Sequence, residues 1–277
     1  MGPVSFELFP PRSDAAALAL GRTIDRLTEA KPAFFSVTFG AGGSHRAQSL
    51  TVLRYILEHT SVPAMAHFTS IGSTWEELDQ RIAEFLDAGV RSFLALRGDP
   101  PNDASPTELG DLASAAELVS HLLHSPAVQS AGDRVDVAVA GFPNGHPRDE
   151  VPGQHFDALL AKQAAGATRV ITQLFWRPSD YAAYVAEARS RGVTMDILPG
   201  VMPVTSRARL ARLEELTGVE APRELHRALS VDGPELAAAA GIEFAAGLVR
   251  EVLRDAPGIH LYTFNQHETV LNTLALV

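Results

Sequence analysis

The chain has 277 residues and an ordinary globular composition, 46% hydrophobic and 20% charged, which is enough for one large core or two modest ones. Its formal net charge of -10 disfavours a nucleic-acid partner, because duplex binders need clustered Lys and Arg to neutralise phosphates. The absence of cysteine excludes disulfides, thiolate metal sites and Cys nucleophiles. Carboxylates, His, Gln, Thr or a cofactor must therefore supply the chemistry.

Neither the N-terminal segment nor any apolar run has the pattern of a secretory signal or a membrane span. We therefore predict a cytoplasmic protein without a membrane partner.

Eight short runs rich in Val, Ile and Phe alternate with longer amphipathic stretches. The predicted strands are residues 4–9, 33–39, 62–68, 91–97, 135–142, 168–175, 194–200 and 258–264. The predicted helical stretches are residues 14–30, 45–59, 74–88, 108–124, 154–165, 179–191 and 205–255, the last with more than one helix. This repeat predicts an α/β fold, a (β/α)8 TIM barrel that forms a single domain over residues 1–277, with extra helices between the seventh and eighth strands. A doubly wound sheet is the alternative.

Several helix ends carry capping signals. The predicted N-caps are Ser13 or Asp14, Ser179, and Thr74, which forms a capping box with Glu77. Three glycines follow helical runs and precede strands, where a left-handed C-cap is expected: Gly89, Gly166 and Gly192. The helix-to-strand turns are thus short, whereas the strand-to-helix loops are long.

The segment SFELFPPR, residues 5–12, places a carboxylate inside the first predicted strand. A carboxyl group in an apolar barrel mouth has its pKa raised by desolvation, which suits a general acid near neutral pH. Glu7 is therefore our candidate acid. A buried Glu7 that is paired with an arginine is the structural alternative.

Active sites of such barrels lie at the carboxyl ends of the strands. Polar side chains are predicted to converge there from Glu7, Thr38, His67, Arg97, Asp99, His146, Gln173, Tyr262 and Asn265, with Phe142, Gly200 and Pro203 beside them. Purely structural roles are open for several: His67 as a core histidine, Gln173 as a loop tie, and Arg97 as a partner of Asp99 or Glu7.

Other catalytic motifs are missing. The sequence contains no GxxxxGK[ST], HExxH or GxSxG, and FGAGGS does not complete a dinucleotide fingerprint. We therefore expect no metal, and an enzyme that protonates and positions its substrate while a cofactor performs the difficult step.

Six segments together resemble the methylenetetrahydrofolate reductase family, in order and over essentially the whole chain: SFELFPPR, SVTFGAGGS, LALRGDPP, AGATRVITQLF, LPGVMPV and LYTFN. The resemblance implies a barrel that passes a hydride from NADH or NADPH through FAD to 5,10-methylenetetrahydrofolate, giving 5-methyltetrahydrofolate.

The resemblance also implies roles for individual residues. Glu7 matches the family's general acid for N10 of the folate, and Asp99 matches an aspartate beside flavin and folate. Gln173 matches the residue that positions the pterin, and Thr38 lies at the face shared by flavin and nicotinamide. The remaining implied flavin contacts are His67, Arg97, Gly98, Phe142, His146 and Lys162.

The chain departs from the family pattern at several positions. Gly110 and Phe142 stand where tyrosines are usual, and His155 where an aspartate helps to hold FAD. These departures predict weakened FAD affinity and leave open a direct hydride transfer from the nicotinamide. Gln266 stands where an arginine is usual, which weakens the expected grip on the folate's glutamate tail, and Arg209 and Leu213 replace a glutamine and an aromatic residue.

Two other function classes remain open. Glu7 and Asp99 could serve a barrel hydrolase or lyase, although Trp75 and Trp176 are the only tryptophans for sugar stacking. The second class is a non-catalytic barrel that binds folate or flavin. The choice between NADH and NADPH, the polyglutamate preference and a possible homo-oligomer are left open.

Overall fold

The computed structural model describes residues 2–39, 46–98, 110–132, 134–147 and 149–277. Its strands are β1 (Val4–Leu8), β2 (Phe34–Val37), β3 (Ala64–Thr69), β4 (Ser92–Leu96), β5 (Asp136–Gly141), β6 (Arg169–Thr172), β7 (Asp196–Leu198), β8 (Gly200–Val201) and β9 (Ile259–Tyr262). Its helices are α1 (Asp14–Thr28), α2 (Arg46–His59), α3 (Trp75–Asp87), α4 (Ala115–His124), α5 (Pro126–Ala131), α6 (Gln154–Ala164), α7 (Pro178–Ser190), α8 (Arg207–Thr217), α9 (Arg223–Ala228), α10 (Pro234–Val252) and α11 (His267–Ala275).

All strand pairs are parallel, in the order β7-β6-β5-β4-β3-β2-β1-β9-β8. The two outermost strands, β7 and β8, are separated along the chain by Pro199 alone. Pro199 has no N–H to donate, but its carbonyl oxygen accepts a 3.0 Å hydrogen bond from His260 N. The seventh barrel strand is thus interrupted at one residue, and the sheet forms the predicted (β/α)8 barrel.

The predicted helix pattern is confirmed with two additions and one later start, since α4 begins at Ala115 whereas the predicted stretch was 108–124. Helices α8, α9 and α10 lie between the seventh and eighth barrel strands, as expected. The short helix α5, which begins at Pro126 after the N-cap Ser125, and the final helix α11 were not predicted. α5 is little more than one turn and α11 follows the last predicted strand, so neither offered a long periodic pattern.

Most predicted caps are confirmed. Ser13 Oγ accepts from Ala16 N at 3.2 Å, and Thr74 and Glu77 form both hydrogen bonds of the capping box. Gly89, Gly166 and Gly192 have positive φ and end their helices with Schellman hydrogen bonds. The prediction for Ser179 was wrong. The N-cap is Arg177, because Pro178 occupies the first helical position, where its missing N–H costs nothing.

Strand residues alternate between a helix-covered outer layer and the barrel interior. The outer layer is apolar on every side; Phe6, Leu8, Phe35 and Phe93 are among its fully buried members. Towards the mouth the interior has a polar and an apolar side, although Phe34 and Met65, from β2 and β3, belong to the same buried apolar cluster as the residues of the apolar side. We call Ser5, Glu7, Ser36, His67, His260 and Tyr262, from β1, β2, β3 and β9, the polar wall. We call Leu94, Leu96, Ala138, Ile171 and Leu198, from β4 to β7, the apolar wall.

Among the described helices, none combines the length and the apolar composition that a bilayer crossing requires.

Candidate active site

The carboxyl group of Glu7 lies in the barrel beside the imidazole of His67. β1 and β3 are next-nearest strands, whose inward side chains share a layer of a barrel interior. Glu7 Oε2 is 3.5 Å from His67 Nε2, and the two side chains are only 9% and 8% exposed. Within the described residues, His67 is the only partner at ion-pair distance from Glu7, so these residues offer no support for the arginine-paired alternative.

Burial shifts both groups of this pair towards their neutral forms. Desolvation raises the pKa of Glu7 from 4.5 to about 8 and lowers the pKa of His67 from 6.5 to about 4. At neutral pH, Glu7 therefore carries its proton and His67 is an uncharged imidazole. A carboxylic acid that is still protonated at pH 7 can act as a general acid.

His260 occupies the next layer of the polar wall, beneath this pair. Its Nδ1 is 2.7 Å from Ser5 Oγ and its Nε2 is 3.2 Å from Ser36 Oγ. A neutral ring satisfies both hydroxyls, as donor to one and acceptor from the other. Burial lowers the pKa of His260 to about 3, helped by the nearby His67 and Arg169. The floor under the acid is thus polar but uncharged at His260.

Tyr262 closes the mouth against the sixth and seventh barrel strands. Its hydroxyl donates to Thr172 O at 2.6 Å, and Thr172 Oγ1 accepts from Gly200 N at 2.9 Å. A Cβ atom at Gly200 would lie 2.2 Å from Thr172 O and 2.6 Å from the Tyr262 hydroxyl oxygen. Only glycine fits there. Burial raises the pKa of Tyr262, and Glu7 raises it further once Glu7 is ionised, so this phenol is neutral.

A clamp joins the ends of the first and last barrel strands. Asn265 Oδ1 accepts from Phe9 N and Asn265 Nδ2 donates to Phe9 O, both at 2.9 Å. Phe264 and Asn265 both have positive φ, which is uncommon outside glycine. The Phe9 and Phe264 rings stack at 5.5 Å. Asn265, predicted at the mouth, therefore holds the rim in shape.

Thr38 and Gln173 also lie at strand ends. Thr38 is half-buried; its N–H donates to Leu8 O and its carbonyl oxygen accepts from Ser49 Oγ. Gln173 is exposed, and its Oε1 accepts from Leu174 N at 3.0 Å. This bond fixes the amide beside the sixth strand. The predicted substrate roles of both residues stay predictions.

Arg97 and Gly98 follow β4 at the same rim. Arg97 is half-buried, and its Nε is a buried donor without a hydrogen-bond partner among the described residues. A Cβ at Gly98 would lie 2.6 Å from Ile71 Cγ2, so the backbone packs closely against the β3–α3 loop. Asp99, the second predicted catalytic carboxylate, lies outside the described residues.

The remaining predicted cofactor contacts follow β5. The rings of Phe142 and His146 meet edge to face at 4.5 Å. Lys162 on α6 is half-buried and its Nζ donates to Ala140 O at 3.3 Å. Burial lowers the pKa of Lys162 to about 8. The ammonium is therefore held against the end of β5.

Two departures from the family pattern have a visible structural context. A Cβ at Gly110 would lie 2.5 Å from Ser73 N and 2.6 Å from Ser73 O, so this position has no room for a tyrosine. His155 Nδ1 is 2.5 Å from Asp149 Oδ2. Although burial tends to raise the pKa of Asp149, the bond with His155 outweighs it and the pKa lies below its ordinary value. The carboxylate of Asp149 thus lies beside His155, which stands where the family pattern has an aspartate.

Sequence reasoning missed the relation between two other departures, Arg209 and Gln266. Arg209, from α8, donates to Gln266 Oε1 at 2.9 Å, and its guanidinium lies 5.2 Å from the centre of the Phe264 ring. The rim beside β9 therefore keeps an arginine, supplied by a different element. The available signal in the sequence was that these two departures from the family pattern exchange Gln and Arg between positions 57 residues apart.

The family model described as methylenetetrahydrofolate reductase matches residues 2–276. The chain belongs to the methylenetetrahydrofolate reductase family. It is 32% identical over 270 residues to the 5,10-methylenetetrahydrofolate reductase of Pectobacterium carotovorum subsp. carotovorum, covering 96% of this chain and 86% of that protein. Its identity to the enzyme of that name from Escherichia coli (strain K12) is 31%, over 96% of this chain and 87% of the relative.

A plant relative is much longer than this family member. Methylenetetrahydrofolate reductase (NADH) 1 of Arabidopsis thaliana is 31% identical over 98% of this chain, which spans 47% of the plant protein. Among solved structures, a Clostridium thermocellum protein described as binding two copies of 5-methyl-5,6,7,8-tetrahydrofolic acid superposes with a TM-score of 0.64. The match covers 99% of this chain and 93% of that one at 12% identity, and it supports the fold.

Proposed function

We propose that this family member reduces 5,10-methylenetetrahydrofolate to 5-methyltetrahydrofolate, with NADH or NADPH as the hydride source and FAD as the carrier. The observation that carries the proposal is the protonated Glu7: a carboxyl group buried in the barrel mouth, with its pKa raised to about 8. The family and the names of its relatives support the overall reaction.

In this proposal Glu7 supplies one proton. The proton moves from its carboxyl oxygen to N10 of the folate, the bond between N10 and the methylene carbon breaks, and an iminium remains at N5. The methylene carbon then accepts the hydride. Exclusion of water from the layer around Glu7 and His67 strengthens the electrostatic interaction between the acid and the folate. Gln173 is proposed to hold the pterin, and Asp99 to favour the cationic iminium.

Two cationic side chains at the mouth, Arg97 and Lys162, support the proposal that FAD binds there. FAD, when bound, would accept a hydride from the nicotinamide and pass it to the folate. The buried Nε of Arg97, which has no hydrogen-bond partner in the described part of the chain, suits a pyrophosphate oxygen. The residues proposed to hold FAD are Thr38, His67, Arg97, Gly98, Asp99, Phe142, His146 and Lys162. Because Lys162 already donates to Ala140 O, we expect it to contribute charge more than a free hydrogen bond.

Arg209 is proposed to supply the rim cation for the folate's glutamate tail. It is half-buried and held by Gln266 and Phe264, so its guanidinium is oriented before a carboxylate arrives.

The test is NAD(P)H oxidation with methylenetetrahydrofolate, measured with and without added FAD while the flavin absorbance is recorded. We expect FAD-dependent turnover that the Glu7→Gln variant loses. Turnover without any bound flavin would replace the FAD route with direct hydride transfer from the nicotinamide. Folate binding without turnover under either condition would favour a non-catalytic folate-binding barrel, and glycoside or lyase turnover without NAD(P)H oxidation would favour that class.

A further inference from the structure

Glu7 needs more than a proton to act as an acid: the oxygen that carries the proton must face the substrate. In the structure, His67 lies on the Oε2 side of the carboxyl group, with Nε2 at 3.5 Å. His67 Nε2 is fully buried and has no hydrogen-bond partner among the described residues. A buried ring nitrogen without a partner is costly, and the Glu7 carboxyl oxygen at 3.5 Å is a group that could satisfy it.

We propose that His67, in addition to its proposed contact with FAD, is a positioning residue for Glu7: its Nε2–H donates to Oε2, which leaves Oε1 to carry the proton towards the mouth. The inference rests on the proposed function. It also assigns the tautomer of His67, with the ring proton on Nε2. The present 3.5 Å separation is longer than a good hydrogen bond, and bonds at catalytic groups often shorten when the substrate binds.

The surroundings favour a neutral donor over an imidazolium. His260 is neutral, and its two ring nitrogens are occupied by the hydroxyls of Ser5 and Ser36. The hydroxyl of Tyr262, the other titratable group near Glu7, donates a hydrogen bond to Thr172 O. Arg169, whose charge acts on His260, lies over the Phe34 ring and pairs with Asp136. None of these groups competes with His67 for Oε2.

This arrangement has a consequence after proton transfer. When Glu7 becomes a carboxylate, the same Nε2–H donates to a charged acceptor, and hydrogen bonds to charged acceptors are stronger. His67 therefore stabilises the conjugate base while remaining uncharged. Removing the donor should make Glu7 a weaker acid.

The experiment compares native protein with His67→Leu and His67→Gln. Glutamine places an amide N–H near the position of Nε2, and leucine removes the donor while keeping an apolar side chain. His121→Gln is the matched control, because it also removes a histidine that lies beside a carboxylate. His121 is on the outer helix α4, and its Nε2 lies 3.0 Å from the carboxylate of Asp79 on the outer helix α3. Thermal unfolding checks that each variant folds. If His67→Leu does not fold, His67→Asn replaces it, because the asparagine amide is too short to reach Glu7 Oε2.

The first readout is an infrared titration of the Glu7 carboxylic acid in protein without FAD or folate, with its band assigned by its loss in Glu7→Gln. We expect the midpoint to rise by about one pH unit in His67→Leu, a tenfold change in the acid–base ratio. Most of this change should be reversed in His67→Gln, and His121→Gln should match the native protein. An unchanged midpoint in His67→Leu would overturn the proposal.

The second readout is turnover at saturating FAD. We expect kcat to fall about tenfold in His67→Leu with the KM for folate changed less than threefold, and His67→Gln to recover most of kcat. Equal impairment of both variants would overturn the positioning role. If the infrared midpoint shifts as expected but the native protein has no reductase activity, the proposed function fails and the coupling of His67 to Glu7 stands.

Discussion

The two sides of the barrel interior are built from different chemistry. The apolar wall, from β4 to β7, presents aliphatic side chains of which Leu94 and Ile171 are 5% and 3% exposed. The polar wall, from β9, β1, β2 and β3, buries Glu7, His67 and His260 almost as deeply, at 7%, 7% and 0%. Similar burial therefore has opposite effects on the free energy of folding on the two sides. Burial of apolar side chains stabilises the fold, whereas burial of an ionisable group costs free energy unless the group is neutralised.

The ionisable groups of the polar wall avoid this cost because they are uncharged, and not because they form ion pairs. Glu7 is protonated, while His67 and His260 are deprotonated, because desolvation moves each pKa away from the charged form. Hydroxyl groups of Ser5 and Ser36 then satisfy the His260 ring. The apolar side of the barrel interior thus stabilises the fold, and the polar side keeps a proton available.

The largest expected effect comes from Glu7→Gln. We expect kcat to fall about 10³-fold, since the amide has no proton to give. Stability should change in the opposite direction. Because the folded pKa is raised from 4.5 to about 8, the stabilising contribution of Glu7 is full below pH 4.5 and is lost as pH rises to 8. The variant should therefore be more stable at pH 7, by about 3 kcal/mol.

Denaturant unfolding at pH 5, 7 and 9, together with turnover, tests this prediction. If the variant were destabilised equally at all three pH values, a charged and paired Glu7 would explain the result better than a protonated one.

On the apolar wall we expect Leu94→Ala to lower the free energy of unfolding by about 3 kcal/mol through the cavity it creates. The kcat of the folded fraction at 25 °C should stay within about threefold of native, since the apolar wall carries no proton. Chemical denaturation and turnover measure the two quantities. A large loss of kcat with unchanged stability would erase the distinction between the walls.

The smallest expected effect concerns the rim above the polar wall. Arg209→Gln should raise the KM for folate about tenfold and leave kcat near native, because a half-buried guanidinium that binds a carboxylate contributes roughly 1 to 2 kcal/mol. Arg207→Gln, an exposed arginine on the same helix, is the matched control.

The double variant Arg209→Gln/Gln266→Arg should restore the KM, because it returns the arginine to the other side of the same contact. Steady-state kinetics with mono- and polyglutamylated folate would measure this. A double variant as impaired as Arg209→Gln would show that the two positions are not exchangeable.

The sequence predicted the barrel because its signals are local. Periodicity marked eight βα units, and capping residues such as Thr74 and Gly89 marked their ends. It failed where the determinant was not periodic: Pro178 moved a predicted cap to Arg177, and Pro199 interrupted the seventh strand. The site was partly predictable, since the segment SFELFPPR placed the carboxylate of Glu7 within the first predicted strand. The single domain over residues 1–277 and the role of Asp99 stay predictions.

The repeat, the family and the carboxylate in the first strand can be inferred from the amino-acid sequence, because residue order and local backbone preference are sufficient for these. The contacts between residues that are distant along the chain depend on the tertiary fold. Glu7 and His67 are 60 positions apart, yet their side chains lie 3.5 Å from each other, and Arg209 meets Gln266 across the rim. The protonation states also follow from the tertiary structure, since desolvation depends on what surrounds a group after the barrel has formed.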